Sequence, residues 1–321
     1  MTPDRELVQR IKPFRRELLA HCYRMLGSVD DAEDVVQETY LRAWRAYDTL
    51  EDPASLRAWL YRIATNACLT ALEQRKRRAL PSGHVAPTPD PDALLVLAGA
   101  DVEWIEPIPD ALVTGDDDDP AARAAAREGL RLARIASLQY LPPRQRAIQI
   151  LREVLAFSAE EVATMLDLTA AAVKSSLQRA RARIDEVTPA AELVREPTQA
   201  DAKAVLDRYV AAFESSDPTA IGQLLCADAT LEMTPFLTWF QGKQTCAPHI
   251  VRHALGSPGE WRMVPTTANG QVAAIAYRRG GDGAYLPFGV AVLTVRASQI
   301  ARIAVFGGAK LVERFESARL Q

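Results

Sequence analysis

The stretch that most constrains this chain is residues 158–184, which have the local signals of two short helices joined by a tight turn. Ser158 and Glu161 have the spacing of a capping box, in which each side chain bonds a backbone amide left free at a helix start. Asp167 interrupts the apolar pattern, and Thr169 caps a second helix. The two helices predict a helix-turn-helix that enters a DNA major groove; an ordinary helical hairpin is the alternative.

The second helix of this pair separates apolar and basic side chains onto two faces. Its apolar stripe consists of Val173, Leu177, Ala180 and Ile184. Its polar face carries Lys174, Ser175, Gln178, Arg179, Arg181 and Arg183. Because DNA phosphates attract cations and base edges accept hydrogen bonds, this face is the candidate DNA-reading surface.

Three further helices are predicted before residue 79, over 5–26, 28–47 and 55–78, because apolar residues recur there at helical spacing. Gly27 ends the first and Ser28 caps the second. The second helix is predicted to bury Ala32, Val35, Val36, Tyr40, Ala43, Trp44 and Tyr47. Its outward face, which includes Asp34, Gln37 and Glu38, is either a solvated surface or a docking surface for a protein.

The third of these helices carries polar residues beside its apolar stripe and is predicted to end in four consecutive cations. The polar residues are Arg62, Thr65 and Asn66, and the cations are Arg75, Lys76, Arg77 and Arg78. Cations suit a helix C-terminus through the helix dipole alone. The combination with Arg, Thr and Asn slightly favours contact with nucleic acid.

Composition indicates a multidomain protein that works in the cytoplasm. Residues 79–120 contain ten Asp or Glu and no Lys or Arg, and the neighbouring segments are mildly basic. An acidic, proline-rich segment between basic blocks predicts a linker between parts that bind a polyanion. The cysteines, Cys22, Cys68, Cys226 and Cys246, lack the spacing of a metal site. Neither a signal peptide nor an apolar run long enough to span a membrane is expected.

Two long motifs resemble one known family. DAEDVVQETYLRAWR, followed by SLRAWLYRIATNACLTALEQRKRR, resembles region 2 of bacterial sigma factors of the extracytoplasmic-function (ECF) group. The segment 140–184, which begins YLPPRQR and ends AAVKSSLQRARARI, is similar to region 4 of the same group. One departure is Asp167, where this turn usually holds glycine; aspartate tolerates the left-handed conformation better than most residues.

The resemblance implies roles for the candidate residues. Asp34, Gln37 and Glu38 match the part of region 2 that docks on the clamp helices of RNA polymerase core, and the polymerase flap is a second expected contact. The residues from Arg62 to Asn66 and the four cations at 75–78 match the part that melts and holds the −10 promoter element. Trp59 and Tyr61 are candidate stacking residues. The helix capped by Thr169 would read the −35 element through Lys174, Ser175, Gln178 and Arg179, with Arg181 and Arg183 on phosphates.

Residues 199–321 have a different pattern, with helices first and strands after them. Hairpin signals interrupt the later strands at Asn269–Gly270, 280–283 and Ser298–Gln299. This α+β order, with the phrases YVAAFESSD and LEMTPF, resembles the cone-shaped SnoaL-like family. Such cones hold an apolar pocket, and the candidate acid–base residues are Asp228, Glu232, His249 and His253. The four residues form no convincing catalytic constellation. We therefore expect no catalytic residue, no metal site and no cofactor.

The sequence therefore predicts two all-helical sigma domains and an α+β SnoaL-like domain. The expected segments are region 2 at 1–80, a linker at 81–124, region 4 at 125–187, a second linker at 188–198 and the C-terminal domain at 199–321. We expect a sigma factor, not an enzyme, whose C-terminal domain modulates it in cis and has a possible small-molecule ligand. The alternatives are a DNA-binding chain with an isomerase or cyclase domain, and a ligand-responsive regulator that does not bind polymerase.

Two hypotheses apply to the linker between the two sigma regions. It is either a solvated spacer or, as the resemblance implies, a segment that passes through the active-site cleft and RNA exit channel of polymerase. Within it, Trp104–Leu112 (WIEPIPDAL) is apolar enough to dock onto another surface.

Overall fold

The computed structural model describes residues 9–47, 50, 52, 55–73, 75–114, 128–187 and 198–320. The chain forms two compact units: unit 1 comprises Met1–Arg78 and Leu112–Pro189, and unit 2 comprises Ala79–Ala111 and Ala190–Gln321. The run of aspartates at 116–119 and residues 188–197 of the second linker lie outside the described residues.

The first part of unit 1 is a helical bundle. A helical turn at Lys12–Phe14 leads into α1 (Arg15–Leu26), α2 (Val29–Arg45) and α3 (Leu56–Leu72). Gly27 ends α1 with a φ of 72°, a left-handed conformation that glycine adopts without strain. The Ser28 side chain accepts a hydrogen bond from the amide of Asp31 and caps α2. Both helix boundaries were predicted from the sequence and are confirmed.

The third helix is shorter than the sequence suggests. It ends at Leu72, so the four cations that follow are not part of it. Arg75 and Arg78 both form ion pairs with Asp31 in the first turn of α2. The prediction that the helix continues to Arg78 was wrong, because these guanidinium groups find a carboxylate from a different helix.

The second part of unit 1 is the helix-turn-helix. It consists of α4 (Leu132–Gln139), α5 (Pro143–Glu153), α6 (Ala159–Leu166) and α7 (Ala170–Val187). Both bonds of the capping box between Ser158 and Glu161 are present, and the bond from the Ser158 amide is the main reason why the pKa of Glu161 is lowered. Asp167 is left-handed with a φ of 55°, and Thr169 caps α7. These predictions are confirmed.

Unit 2 has an α+β fold around a six-stranded mixed sheet. Helices α8 (Gln199–Glu214) and α9 (Pro218–Leu224) precede β1 (Leu225–Thr234) and β2 (Trp239–Gln241); α10 (Lys243–His249) and a π-helical turn (Ile250–Ala254) follow. Then come β3 (Trp261–Ala268), β4 (Gln271–Arg279), β5 (Tyr285–Arg296), β6 (Gln299–Gly307) and α11 (Ala309–Ala318). The strand order is β2-β1-β6-β5-β4-β3, with β1 and β6 parallel. The predicted order of helices and strands is confirmed.

One face of this sheet buries a core with the helices α8 and α9. Val205, Tyr209 and Phe213 of α8 pack there with Met263 and Leu293 of the sheet. The other face carries buried side chains such as Ile275 and Val290, and α11 contributes Val312 and Phe315. Burial of apolar side chains on both faces stabilises the sheet.

Residues 79–111, which we call the strap, belong to unit 2. The strap contains part of the predicted linker, yet many of its backbone groups bond the α+β domain. Ile108 and Asn269 exchange two hydrogen bonds of 3.0 Å, and Ile105 and Ile108 are fully buried. The expected docking of the Trp104–Leu112 segment thus occurs at the turn between β3 and β4. In the part of the chain that is described, no helix is long and apolar enough to cross a membrane.

Candidate nucleic-acid and polymerase interface

The outward face of α2 presents acidic and apolar side chains together. Asp34 and Gln37 are exposed, and Glu38 forms a 2.7 Å ion pair with Arg42 one turn later. The three predicted polymerase-binding residues therefore share one face, in which the Glu38 carboxylate is already paired. An exposed pair of this kind contributes little stability, so a partner protein can compete for it.

Two apolar residues that sequence reasoning missed extend this face. Leu41 is 49% exposed and Trp44 is 54% exposed, each at helical spacing from Gln37. The prediction that Trp44 points into the bundle was wrong: the adjacent Ala43 takes the buried position instead. An exposed tryptophan beside carboxylates is typical of a protein-binding surface, since tryptophan is enriched among residues that dominate binding energy.

The polar residues predicted on α3 do not share one environment. Arg62 and Asn66 are exposed. Thr65 is fully buried, and its hydroxyl lies 2.9 Å from Nε2 of His21 in α1. The predicted DNA contact of Thr65 has no support in this arrangement, because the side chain packs inside the bundle. Tyr61 is buried as well, with its ring 5.2 Å from that of His21, and so cannot stack on a base here.

The four cations after α3 face other parts of unit 1. Arg75 and Arg78 converge on the carboxylate of Asp31. The guanidinium of Arg77 lies 4.1 Å from the centre of the Tyr140 ring, a cation–π contact. Lys76 is exposed. Arg75 and Arg78 can therefore bind an anion from solvent only if it replaces Asp31 as their partner, whereas Lys76 is already exposed to solvent.

The predicted reading face of α7 is exposed along its length. Thr169, Lys174, Ser175, Gln178, Arg179, Arg181 and Arg183 all lie at the surface, and the apolar stripe at the opposite side is buried. Arg179 donates hydrogen bonds to the hydroxyls of Ser175 and Ser176 at 2.7 and 3.0 Å. Arg181 and Arg183 form ion pairs with Glu153 and Glu186. The face therefore holds guanidinium groups in place while leaving Lys174 and Gln178 accessible.

The two helical parts of unit 1 pack directly against each other. Arg146 of α5 is buried, and its Nη1 donates to the carbonyl of Met25 at the end of α1 and, at 2.7 Å, to Oε1 of Gln139. Nη2 donates to two further carbonyls, of Gln139 and Leu141, at 3.2 Å. Burial lowers the pKa of Arg146 to about 10, so the guanidinium is still charged at neutral pH.

An aromatic contact reinforces this packing. The ring of Tyr61 in α3 meets that of Phe157 edge-on at 5.4 Å, and the guanidinium of Arg57 lies about equally close to both rings. Arg24 of α1 also donates to the carbonyl of Gly129 at 3.2 Å. The helix-turn-helix and the first bundle thus share a partly buried polar and aromatic interface.

The four acid–base candidates of unit 2 have structural partners. Asp228 pairs with Arg296, and the buried Glu232 lies 3.2 Å from Nε of Arg302. His249 stacks on Phe240 with ring centres 3.9 Å apart and hydrogen bonds the carbonyl of Pro91. His253 lies 2.9 Å from Asp92. Glu232, which accepts a hydrogen bond from the Ser82 amide, His249 and His253 therefore contact the strap through their side chains. Among the described residues, no group of His, Cys, Asp and Glu is arranged to hold a metal ion.

Comparison with known proteins decides the family. The Sigma-70 region 2 family matches residues 11–78, and the Sigma-70 region 4 family matches residues 133–184. The ECF RNA polymerase sigma factor SigG of Mycobacterium tuberculosis is 47% identical over 306 residues, which cover 95% of this chain and 82% of SigG.

This chain belongs to the ECF RNA polymerase sigma factors.

A second M. tuberculosis ECF sigma factor, SigJ, is 32% identical over 260 residues, which cover 80% of this chain and 72% of SigJ. The crystal structure of SigJ matches with a TM-score of 0.61 at 23% identity and covers 98% of this chain and 100% of SigJ, so the fold is shared. As an ECF sigma factor, the protein directs RNA polymerase to promoters and is not an enzyme. Its C-terminal domain has the predicted α+β fold, built around a six-stranded mixed sheet.

Proposed function

We propose that unit 2 modulates this sigma factor in cis by holding the strap, and that the protein acts in the cytoplasm with polymerase and promoter DNA. The observation that carries the proposal is that the chain joining region 2 to region 4 packs with the C-terminal domain. Residues 79–111 lie between the two sigma regions in sequence but in unit 2 in space. Any change in how the strap binds unit 2 thereby changes how the two promoter-binding parts are joined.

The first half of the strap bonds the β1–β2 side of the sheet. The amide of Ser82 donates to the buried carboxylate of Glu232 at 2.9 Å. Nε1 of Trp239 donates to the carbonyl of Val85 at 2.8 Å, and the amide of Thr88 donates to the Trp239 carbonyl at 2.9 Å. A carboxylate acceptor, one bond from an indole side chain and one main-chain bond hold this half more firmly than surface packing alone.

The middle of the strap pairs as a short strand with the segment before β2. The amide of Leu237 donates to the Val96 carbonyl at 2.8 Å, and the amide of Ala98 donates to the Pro235 carbonyl at 3.1 Å. Leu97 and Phe236 therefore form an antiparallel pair without direct hydrogen bonds between them. Nearby, Asp92 pairs with Arg252 and His253, and both contacts lower the pKa of its carboxyl.

The packing of unit 1 supports a closed resting state. The −10 and −35 elements are about 25 base pairs apart, which is about 85 Å of B-form DNA. A folded unit of this size is only about 40 Å across. Region 2 and region 4 must therefore separate before both promoter elements are bound, and the interface around Arg146 must open.

The strap also limits how far apart the linker allows region 2 and region 4 to move. The amide of Ala79 donates to the Glu103 carbonyl at 3.3 Å, and the amide of Ile105 donates to the Ala79 carbonyl at 3.2 Å. These two bonds place the backbone of Ile105 next to that of Ala79, although 25 residues separate them in sequence. While these bonds hold, the intervening residues add almost nothing to the distance between the regions; released, they add up to about 80 Å of extended chain. Strap release and region separation are in this way coupled.

A disulfide between Leu97→Cys and Phe236→Cys tests this coupling. Antiparallel pairs without direct hydrogen bonds have closely spaced Cβ atoms, which suits a disulfide, and the four native cysteines are buried and free. We expect the oxidised double variant to give about tenfold less promoter-specific transcript with core polymerase than the reduced form. A thiol reductant should restore output.

The single variant Leu97→Cys is the control and should give equal output under both redox conditions. Equal transcription by the oxidised and reduced double variant would contradict modulation through strap release. Activity that is low in both forms of the double variant but normal in the single variant would instead point to damage at Phe236.

We infer further that the α2 face from Asp34 to Trp44 docks on the polymerase clamp helices. We assign −10 contacts to Arg62, Asn66 and the exposed cation Lys76. We assign −35 contacts to Lys174, Ser175, Gln178 and Arg179, with Arg181 and Arg183 on phosphates. Arg75 and Arg78 join the −10 contacts only when they leave Asp31.

Trp44→Ala tests the docking assignment. Because an exposed tryptophan at the centre of an interface buries a large apolar area, we expect about tenfold weaker binding to core polymerase in a fluorescence anisotropy titration. Leu286→Ala is the matched control, since this residue is 56% exposed, compared with 54% for Trp44, and lies in unit 2. Unchanged affinity of Trp44→Ala and of Asp34→Lys would rule out this face.

A further inference from the structure

A cleft in unit 2 lies on the sheet face opposite the core formed by α8. Arg262 of β3 and Tyr277 of β4 are directly paired across the two strands, so their side chains share a face. Trp261 and Met263, the neighbours of Arg262, belong to the core on the other side. The cleft is therefore separate from the interior of the cone, where the resemblance to SnoaL-like proteins places a pocket.

The cleft has the size of a small-molecule site and partly apolar walls. Its volume is about 720 Å³, and its lining includes Val264 of β3, Tyr285 of β5 and Leu320 beyond the end of α11. Cavities that bind small organic molecules commonly measure about 300–1,000 Å³ and combine apolar walls with few polar groups. Tyr285 is fixed by a 2.7 Å hydrogen bond from its hydroxyl to the carbonyl of Gly259.

Two guanidinium groups at the cleft have no hydrogen-bond or ion-pair partner among the described residues. Neither Arg262 nor Arg319 forms a side-chain hydrogen bond or ion pair with a described residue, although both line the cleft. The single carboxylate of the lining, Glu316, accepts a hydrogen bond from the Tyr277 hydroxyl instead. Burial and this carboxylate raise the pKa of Tyr277 to about 12, so the hydroxyl remains a neutral donor to Glu316. Within the described part of unit 2, the cleft thus has two positive charges that no carboxylate pairs and one carboxylate, Glu316, that already accepts a hydrogen bond.

We propose that this cleft binds a small organic monocarboxylate with an apolar body, its carboxylate held between Arg262 and Arg319. Arginine binds carboxylates in a two-pronged geometry, and Tyr285, Val264 and Leu320 offer surface for an aromatic ring or a short acyl chain. A doubly charged phosphate fits less well, because the cleft contains Glu316 and lies at the C-terminal end of α11, where the helix dipole is negative.

The proposal does not depend on the role of the strap, because binding is measured directly and without transcription. Benzoate and hexanoate are the probes, and inorganic phosphate and benzyl alcohol are the comparison compounds. Ligand-observed NMR with the full chain gives the dissociation constants. We expect both carboxylates to bind in the millimolar range or tighter, and the comparison compounds to bind about tenfold more weakly.

The double variant Arg262→Gln/Arg319→Gln should weaken carboxylate binding at least about tenfold, since it removes both charge-assisted hydrogen bonds. Arg208→Gln, an exposed arginine of α8, is the matched control and should bind as the native chain does. Val264→Phe keeps both charges but fills the cleft, and it should weaken binding as well.

Three results would overturn the proposal. These are an absence of binding by either carboxylate, phosphate or benzyl alcohol binding as tightly as benzoate, and native-like affinity in both the double variant and Val264→Phe. Since Arg262 and Arg319 are exposed, the double variant should keep the native melting temperature.

Discussion

Acidification from pH 6.5 to pH 4 should lower the free energy of unfolding of unit 1 by about 3 kcal/mol through His21 alone. The imidazole is fully buried, and burial, assisted by the nearby charge of Arg24, lowers its pKa from 6.5 to about 3. The folded chain therefore keeps His21 neutral while the unfolded chain takes up a proton. Stability from this group is complete above pH 6.5 and is lost progressively as the pH falls towards 3.

The measurement is urea unfolding monitored by hydrogen exchange of α1 and α3, at pH values between 4 and 7.5. His21→Gln is the comparison, because glutamine can still bond the Thr65 hydroxyl but does not titrate. The difference between the two profiles isolates His21 from the carboxylates that titrate in the same range. Parallel profiles for the two proteins would show that His21 takes up its proton in the folded chain too.

Arg146→Met should destabilise unit 1, including the contact between region 2 and region 4, by about 3 kcal/mol. The substitution keeps an apolar stem of similar length but removes the donor for three backbone carbonyls, those of Met25, Gln139 and Leu141. A buried carbonyl without a donor loses the hydrogen bond that water supplied in the unfolded chain, so the closed packing opens more often. Hydrogen exchange should accelerate at the C-terminal end of α1 and along α5.

Arg144→Met is the matched control, because Arg144 lies on the same helix but is exposed. It should leave exchange in α1 unchanged. If Arg146→Met accelerates exchange in α5 but not in α1, the guanidinium stabilises only its own helix, and the two regions are joined by other contacts such as that between Tyr61 and Phe157.

Features set by neighbouring residues were predictable from the sequence. The capping box of Ser158 and Glu161, the left-handed Asp167 and the Gly27 helix end each depend on a few adjacent backbone groups. The hairpin at Asn269–Gly270 is also of this kind, since both residues have positive φ, of 54° and 68°. Such signals fix the helix and strand order of both units.

Features set by distant contacts were not predictable in the same way. Thr65 looked like a surface residue, but its partner His21 lies 44 positions earlier. The strap looked like a spacer because it is acidic and rich in proline, yet its bonds to Glu232 and Trp239 join residues about 150 positions apart. Trp44 was predicted to be buried because it is large and apolar. Helical periodicity identifies the apolar stripe but does not show which edge of that stripe the rest of the bundle covers.

The bonds between Ala79 and the 103–105 segment have a consequence for how such a chain can vary over evolution. They make residues 80–104 a side loop, so residues inserted or deleted there leave the tether between the two sigma regions unchanged while the bonds hold. A change of length after Ile105 alters that tether directly. Residues 80–104 can therefore change in length and sequence together with the C-terminal domain. The length of the segment after Ile105 is instead constrained by the spacing of the two promoter elements.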